Sequence, residues 1–155
     1  MTGRVCCIYI RCSADEQVRA GYSLEYQEEK CKEYIQKKGF NYFRTYIDTV
    51  SGTVPGEERE GLQVLFQDMK LKKFNTVVLY TFDRLGCELT VAYRIVGLFD
   101  KNKITLLECQ NDIDPSNADG EHRMAMSLVF AQMEYFKDRE RSKLDMDKKM
   151  KLQEV

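Results

Sequence analysis

The 155-residue sequence has no tryptophan, two prolines, one histidine (His122) and no surplus of positive charge, because 24 Lys and Arg face 25 Asp and Glu for a formal net charge of -1. The charge balance excludes a free-standing basic nucleic-acid binder, whose affinity comes from cations that release counterions from phosphate. Six cysteines, Cys6, Cys7, Cys12, Cys31, Cys87 and Cys109, include no C-x-x-C pair and lie apart from the lone histidine. That spacing argues against a zinc site, and the chain is too long and too sparse in cysteine for a secreted disulfide scaffold, so reduced intracellular thiols are expected. The longest apolar stretch, Val5 to Ile10, is too short to cross a bilayer, and Met1 to Arg4 carry no signal pattern. A cytoplasmic protein with no membrane partner follows. Both glycine fingerprints for nucleotide phosphates, G-x-x-x-x-G-K-[ST] and G-x-G-x-x-G, are missing.

What is present alternates between two periodicities. Val5 to Ile10 is continuously apolar, the pattern of a strand covered on both faces. Ser23 is placed to cap a helix in which Leu24, Cys31, Tyr34 and Ile35 recur until Lys37-Lys38-Gly39, although polar Gln27 and Glu28 interrupt the stripe. Tyr42 to Ile47 reads as a second strand. Asp48 to Glu60 then gathers Gly, Pro, Ser and Thr and reads as a long mobile loop of the kind that carries function. Leu62, Leu65, Phe66 and Met69 give a short helix, Thr76 to Phe82 a strand, Leu89 to Phe99 a helix, Ile104 to Cys109 a strand and Gln110 to Asp119 a polar loop. The pattern predicts an α/β fold with a mainly parallel sheet of four to five strands and helices on both faces. After Gly120 nothing breaks a helix until about Met150, a span of roughly 45 Å at 1.5 Å per residue. Its stripe of Met124, Leu128, Ala131 and Tyr135 fades after Phe136 into mixed charge, so this helix calls for a second subunit or DNA, while Asp145 to Val155 reads as a solvated, frayed extension. Two parts are expected: an α/β core over 1-119 and a long helix over 120-155.

In an open α/β sheet, ligands gather at the carboxyl ends of the strands. The polar residues there are Arg11, Ser13 and Gln17 after the first strand, Asp48, Ser51 and Arg59 after the second, and Asp83 and Arg84 after the third. Guanidinium forks match phosphate oxygens bidentately, and several around one hydroxyl suit attack on a phosphodiester. Each residue has a plainer reading. Ser13 fits a turn cap, Asp83-Arg84 an ion pair capping the third helix, and Arg59 a surface charge. Composition and spacing alone reach only a phosphate-handling α/β domain.

Five blocks in order go further: Tyr9 to Gln17 (YIRCSADEQ) with Gly21 to Gln27 (GYSLEYQ), Asp48-x-x-Ser51-Gly52-Thr53, Arg59-x-Gly61-Leu62, Asp83-Arg84-Leu85-Gly86, and Glu134 followed by Arg141. Together they resemble the catalytic domain of the serine recombinases, the resolvase/invertase superfamily, and GYSLEYQ is more like the large serine integrases and transposases. The resemblance implies a resolvase-like fold and site-specific DNA recombination. Ser13 would be the nucleophile that becomes joined to a 5′ phosphate, with Arg11, Arg59 and Arg84 on the scissile phosphate. Asp83 would orient an arginine, Gln17 and Ser51 would support the loops, and Arg141 would meet DNA. It also implies assembly as dimers and, on paired sites, tetramers, and rejoining without ATP, metal or other cofactor, because the phosphoserine ester retains the energy of the broken bond.

The match departs in three places. The family's DRLGR block has a second arginine where this chain has Cys87, and cysteine cannot fork onto phosphate or hold positive charge. Cleavage is then expected to be slow or absent unless another cation, with Arg94 a candidate, compensates. Arg59 stands two residues further from Ser51 than is common, and Tyr135 takes a place often held by arginine. With no zinc ribbon or separate helix-turn-helix, the chain reads as the catalytic fragment of a longer protein that binds DNA weakly alone. The rival expectation is a recombinase-like dimerisation domain that has lost cleavage.

Overall fold

A computed structural model describes residues 3–153, so Met1, Thr2, Glu154 and Val155 lie outside the described residues. The chain runs β1 (Val5–Arg11), α1 (Leu24–Lys38), β2 (Asn41–Asp48), α2 (Glu60–Lys70), β3 (Thr76–Leu79), α3 (Leu89–Lys101), β4 (Thr105–Glu108) and α4 (Ala118–Gln153), with single 3-10 turns at Glu16–Val18, Gly56–Glu58 and Phe82–Arg84. The four strands lie in the order β2-β1-β3-β4 and every pairing is parallel. The expected α/β fold is therefore present, with four strands.

The uninterrupted apolar run of β1 follows from its central place. Cys7, Tyr9, Val77 and Leu79 point to the face covered by α2, α3 and the start of α4, where they meet Leu62, Leu65, Ile95, Phe99, Met124 and Leu128. Cys6, Ile8, Ile10, Val78 and Leu107 point the other way, onto Cys31 and Ile35 of α1. Alternate residues thus fill two separate cores, and a strand with both faces buried needs no polar side. Ser23 caps α1 as expected, its Oγ accepting from Tyr26 N at 3.2 Å, and Gly39 closes the helix in the left-handed conformation (φ 74°).

Three details differ from the sequence reading. β3 stops at Leu79 rather than Phe82, because the chain turns at Thr81 and Phe82 is apolar for a place in the core beneath that turn. Gln27, read as a gap in the stripe of α1, is fully buried. The segment 48–60, read as mobile, is folded around the buried Arg59 and Gly56.

Helix α4 opens at Ala118, two residues before the expected division, and its 36 residues span about 54 Å. Gly120 is needed there because a Cβ would overlap the Asp114 carbonyl. Only Gly120, Met124 and Leu128 are buried, and Gln132 Oε1 accepts from Leu89 N at 2.9 Å to cap α3. Beyond it the ion pairs lie within the helix, Lys137 to Glu134 and Arg141 to Asp138. Met126, Val129, Phe130, Met133 and Phe136 leave an apolar strip exposed. Among the described residues no helix is long and apolar enough to cross a membrane.

Candidate active site

The carboxyl ends of β1, β2 and β3 bring Arg11, Ser13, Asp48, Arg59, Asp83 and Arg84 to one edge of the sheet. Three guanidiniums meet there, and all are buried: Arg11 is 2%, Arg59 0% and Arg84 2% exposed. A desolvated charge is costly unless its protons are taken up, and here they are. Arg11 donates from Nε to Arg84 O (2.9 Å), from Nη1 to Val50 O (3.0 Å) and from Nη2 to Asp83 O (3.1 Å). Arg59 donates to Val54 O (2.9 Å), Gly52 O (3.3 Å), the Tyr9 hydroxyl (3.4 Å) and, at 3.5 Å, the same Arg84 carbonyl. Arg84 returns a bond to Arg11 O at 2.8 Å and pairs with Asp83 and Glu16. Arg59 is therefore no surface charge. It is the peg on which the 48–60 segment is hung.

Ser13 sits half-buried just beyond β1, at the same edge as the arginines and outside the core. Its Oγ accepts from Glu16 N (3.3 Å) while its own N–H donates to Glu16 Oε1 (3.1 Å). This is the reciprocal pairing of a capping box, so the plainer reading of Ser13 as a turn cap holds in this structure. The Glu16 carboxylate goes on to Arg84 Nη2 (2.8 Å) and Arg11 Nη1 (3.6 Å). Serine and arginines are thus joined through one carboxylate.

The charges shift one another. Burial and then the Arg84 charge pull the Arg11 guanidinium down to about 10, against the pull of Glu16. Burial opposes charge on Arg84 too, but Asp83 and Glu16 outweigh it and raise its pKa. Burial pushes the Asp83 and Glu16 carboxyls up, yet the Arg84 guanidinium, with Arg11 behind it, holds both below the ordinary carboxylate range. The Tyr9 phenol is raised by burial against the pull of Arg59, and it donates to Asp48 at 2.9 Å.

Other candidates take supporting places. Gln17 accepts from the Cys12 thiol (2.8 Å) and Leu24 N (3.3 Å) and donates to Glu25 (3.3 Å), tying the Ser13 segment to the start of α1. Ser51 is exposed and bonds Thr53 within its own turn. The Asp48 carboxylate caps α2 through Gly61 N (2.7 Å) and Leu62 N (3.0 Å), and a Cβ at Gly61 would overlap the Ile47 carbonyl, which explains that pair of residues after Arg59. Asp83 binds Thr81 and Arg84 inside its own 3-10 turn, whereas Glu88 is the residue that opens α3. Cys87 N–H donates to Gly52 O at 3.3 Å, beside the arginines. Arg94 stands apart, exposed and 3.6 Å from Glu57 on α3's outer face. Arg141 and His122 are exposed on α4.

Two site residues escaped the sequence reading. Glu16 was signalled by the S-x-x-E spacing from Ser13. Gln27 was signalled only by being polar where the helix stripe demanded an apolar residue.

The model of the family described as resolvase, N terminal domain, matches residues 6–154. A curated relative, the uncharacterized immunity region protein 3 of Bacillus phage phi105, is 44% identical over 41 residues, 26% of this chain and 50% of that one, so the chain spans about half the length of the curated relative it matches. Among solved structures, the N-terminal catalytic domain of TP901-1 integrase is similar at 30% identity and a TM-score of 0.67, covering 90% of this chain and 99% of that domain. The C-terminal catalytic domain of ISC1926 TnpA, an IS607-like serine recombinase, is similar at 25% identity and a TM-score of 0.59, covering 68% of this chain and 70% of the other. With a parallel sheet ordered 2-1-3-4, a long C-terminal helix and a serine beside three buried arginines, the chain belongs to the resolvase N-terminal domain family of serine recombinases.

Proposed function

We propose that this chain carries out strand cleavage and rejoining for a site-specific DNA recombinase, with Ser13 as nucleophile. The observation that carries the reading is the convergence of Arg11, Arg59 and Arg84 on the sheet edge where Ser13 stands. Ser13 Oγ forms a bond to phosphorus as the bond from phosphorus to the 3′ oxygen breaks. The serine proton leaves, and the 3′ oxygen takes one up. The phosphodiester begins with one negative charge and gains a second in the pentacovalent state, which favours pre-aligned guanidiniums in a dry site. The product is a 5′-phosphoserine ester, and attack on it by another 3′ hydroxyl reverses the step with no outside energy. Asp83 aligns Arg84, while Gln17 and Ser51 support the conformations of the loops that follow β1 and β2.

DNA is the substrate in this reading, and a second copy of the chain is the partner. The exposed apolar strip from Met126 to Phe136 supports a self-association face along α4, first in a dimer and then in a tetramer on paired sites. Arg141, on the projecting part of the same helix, is assigned to phosphate contact. A second reading, a recombinase-like dimerisation domain without cleavage, is favoured by Cys87, which brings no charge to the edge where the family has arginine.

A pool of randomised duplexes, each nicked to trap the ester, separates the two. Wild-type protein should yield a covalent protein–DNA adduct that survives SDS, and Ser13→Ala should yield none. Equal yields from both would remove Ser13 from the chemistry, and no adduct from wild type would favour the dimerisation domain.

A further inference from the structure

Arg11 and Arg84 are not open to an incoming phosphate, because one carboxylate already lies against both. Glu16 places Oε2 2.8 Å from Arg84 Nη2 and Oε1 3.6 Å from Arg11 Nη1, and the same Oε1 accepts from the Ser13 backbone N–H at 3.1 Å. Two guanidiniums and the amide of the nucleophile form a donor set suited to the non-bridging oxygens of a phosphodiester. We propose that Glu16 is an internal stand-in for the scissile phosphate, a positioning residue that aligns the forks of Arg11 and Arg84 and withdraws when the phosphate takes its seat. This inference rests on the reading of Ser13 as nucleophile.

Two features single out Glu16 from Asp83, the other carboxylate paired with Arg84. Asp83 neighbours Arg84 in sequence and is also bound to Thr81, so it cannot leave without undoing its turn. Glu16 comes from a three-residue 3-10 turn between β1 and α1, and its side chain is 19% exposed, so rotation about its own bonds carries it into solvent. Replacing it by a phosphodiester exchanges one monoanion for another. No uncompensated charge is buried, which is the costly alternative for guanidiniums 2% exposed.

The exchange also acts on the serine. While Glu16 is in place its backbone N–H is donated to Ser13 Oγ, and the Ser13 N–H is occupied by the carboxylate. Withdrawal frees that N–H for the phosphate and frees the hydroxyl from the turn. The nucleophile is thus released by the arrival of its target.

The test is the affinity for inorganic phosphate at neutral pH, followed through the Ser13 amide signal in NMR spectra of the full chain. Glu16→Gln keeps the shape and an acceptor but removes the competing charge, and should bind phosphate about tenfold more tightly than wild type, the worth of one charge-assisted contact. Unchanged or weaker binding overturns the proposal. Should Glu16→Gln fail to fold, wild type alone decides. Phosphate must move both the Ser13 amide and the Glu16 side-chain carboxyl carbon, and a Glu16 signal that stays put while Ser13 moves overturns it. The nicked-duplex assay keeps the two claims apart: tighter phosphate binding with no adduct from any protein upholds Glu16 while rejecting Ser13 chemistry, and adduct formation with unchanged phosphate affinity does the reverse.

Discussion

Gln27 closes both backbone groups of Arg11. Its amide donates to Arg11 O at 3.0 Å and its oxygen accepts from Arg11 N at 3.4 Å, while the second amide proton goes to Tyr22 O at 2.7 Å. β1 ends here with no further strand partner on this side, so a side chain of α1 takes the place of one.

Removing that side chain leaves the buried Arg11 N–H without a partner, while Arg11 O keeps its bond from Arg84 Nη1 at 2.8 Å. Gln27→Leu, of similar volume, is expected to destabilise the fold by about 1 to 3 kcal/mol. Urea denaturation measures it. A loss below about 0.5 kcal/mol would mean that water reaches the strand end.

Glu108 closes β4 at 1% exposure, and its Oε2 has no hydrogen-bond partner. Burial, and next the charge of Asp83, push its carboxyl up to about 7 from an ordinary 4.5, although Asn111 and Arg123 pull the other way. A folded-state pKa above the unfolded one means that stability is fully present below about pH 4.5 and is lost as the pH rises to about 7. Glu108→Gln should therefore gain on the order of 2 kcal/mol at pH 8 and little at pH 4. Thermal unfolding at the two pH values reads the difference, and an equal shift at both would contradict the assignment.

Cys87 sits where its backbone touches Gly52 O and its thiol faces solvent only in part. Position 87 adjoins the cluster through Gly52 O, which also accepts from Arg59, whereas Arg94 stands exposed beside Glu57. Cys87→Arg should raise the adduct yield on nicked duplexes, by about 10²- to 10³-fold if it acts as one restored oxyanion donor. Quantifying SDS-resistant complexes over time tests this. An unchanged rate would show that the thiol position is not limiting.

The sheet was legible because its apolar runs are long and uninterrupted: Val5 to Ile10 could only be a strand covered on both sides. The end of β3 was not, since Phe82 is as apolar as Val78 and a turn packed on the core looks like a strand that continues. Arg59 was legible as a candidate from its place after the second strand and from the resemblance, but its burial was not. Taken singly, an arginine in a Gly- and Pro-rich stretch reads as solvated, and its burial depends on carbonyls of Gly52, Val54 and Arg84 that no periodicity brings together. Glu16 lay in plain sight at a capping distance from Ser13, yet its reach to Arg84 spans 68 residues and is a product of tertiary structure alone.

The three guanidiniums make seven hydrogen bonds to main-chain oxygens at and just after the ends of β1, β2 and β3, so the proposed reaction centre doubles as the fastener of that rim. Alanine at Arg11, Arg59 or Arg84 would unlace those loops, and a dead variant would say nothing about phosphate. Lysine, equal in charge but without a planar fork, and melting curves run beside every turnover measurement, are what separate a broken tool from a fallen workbench.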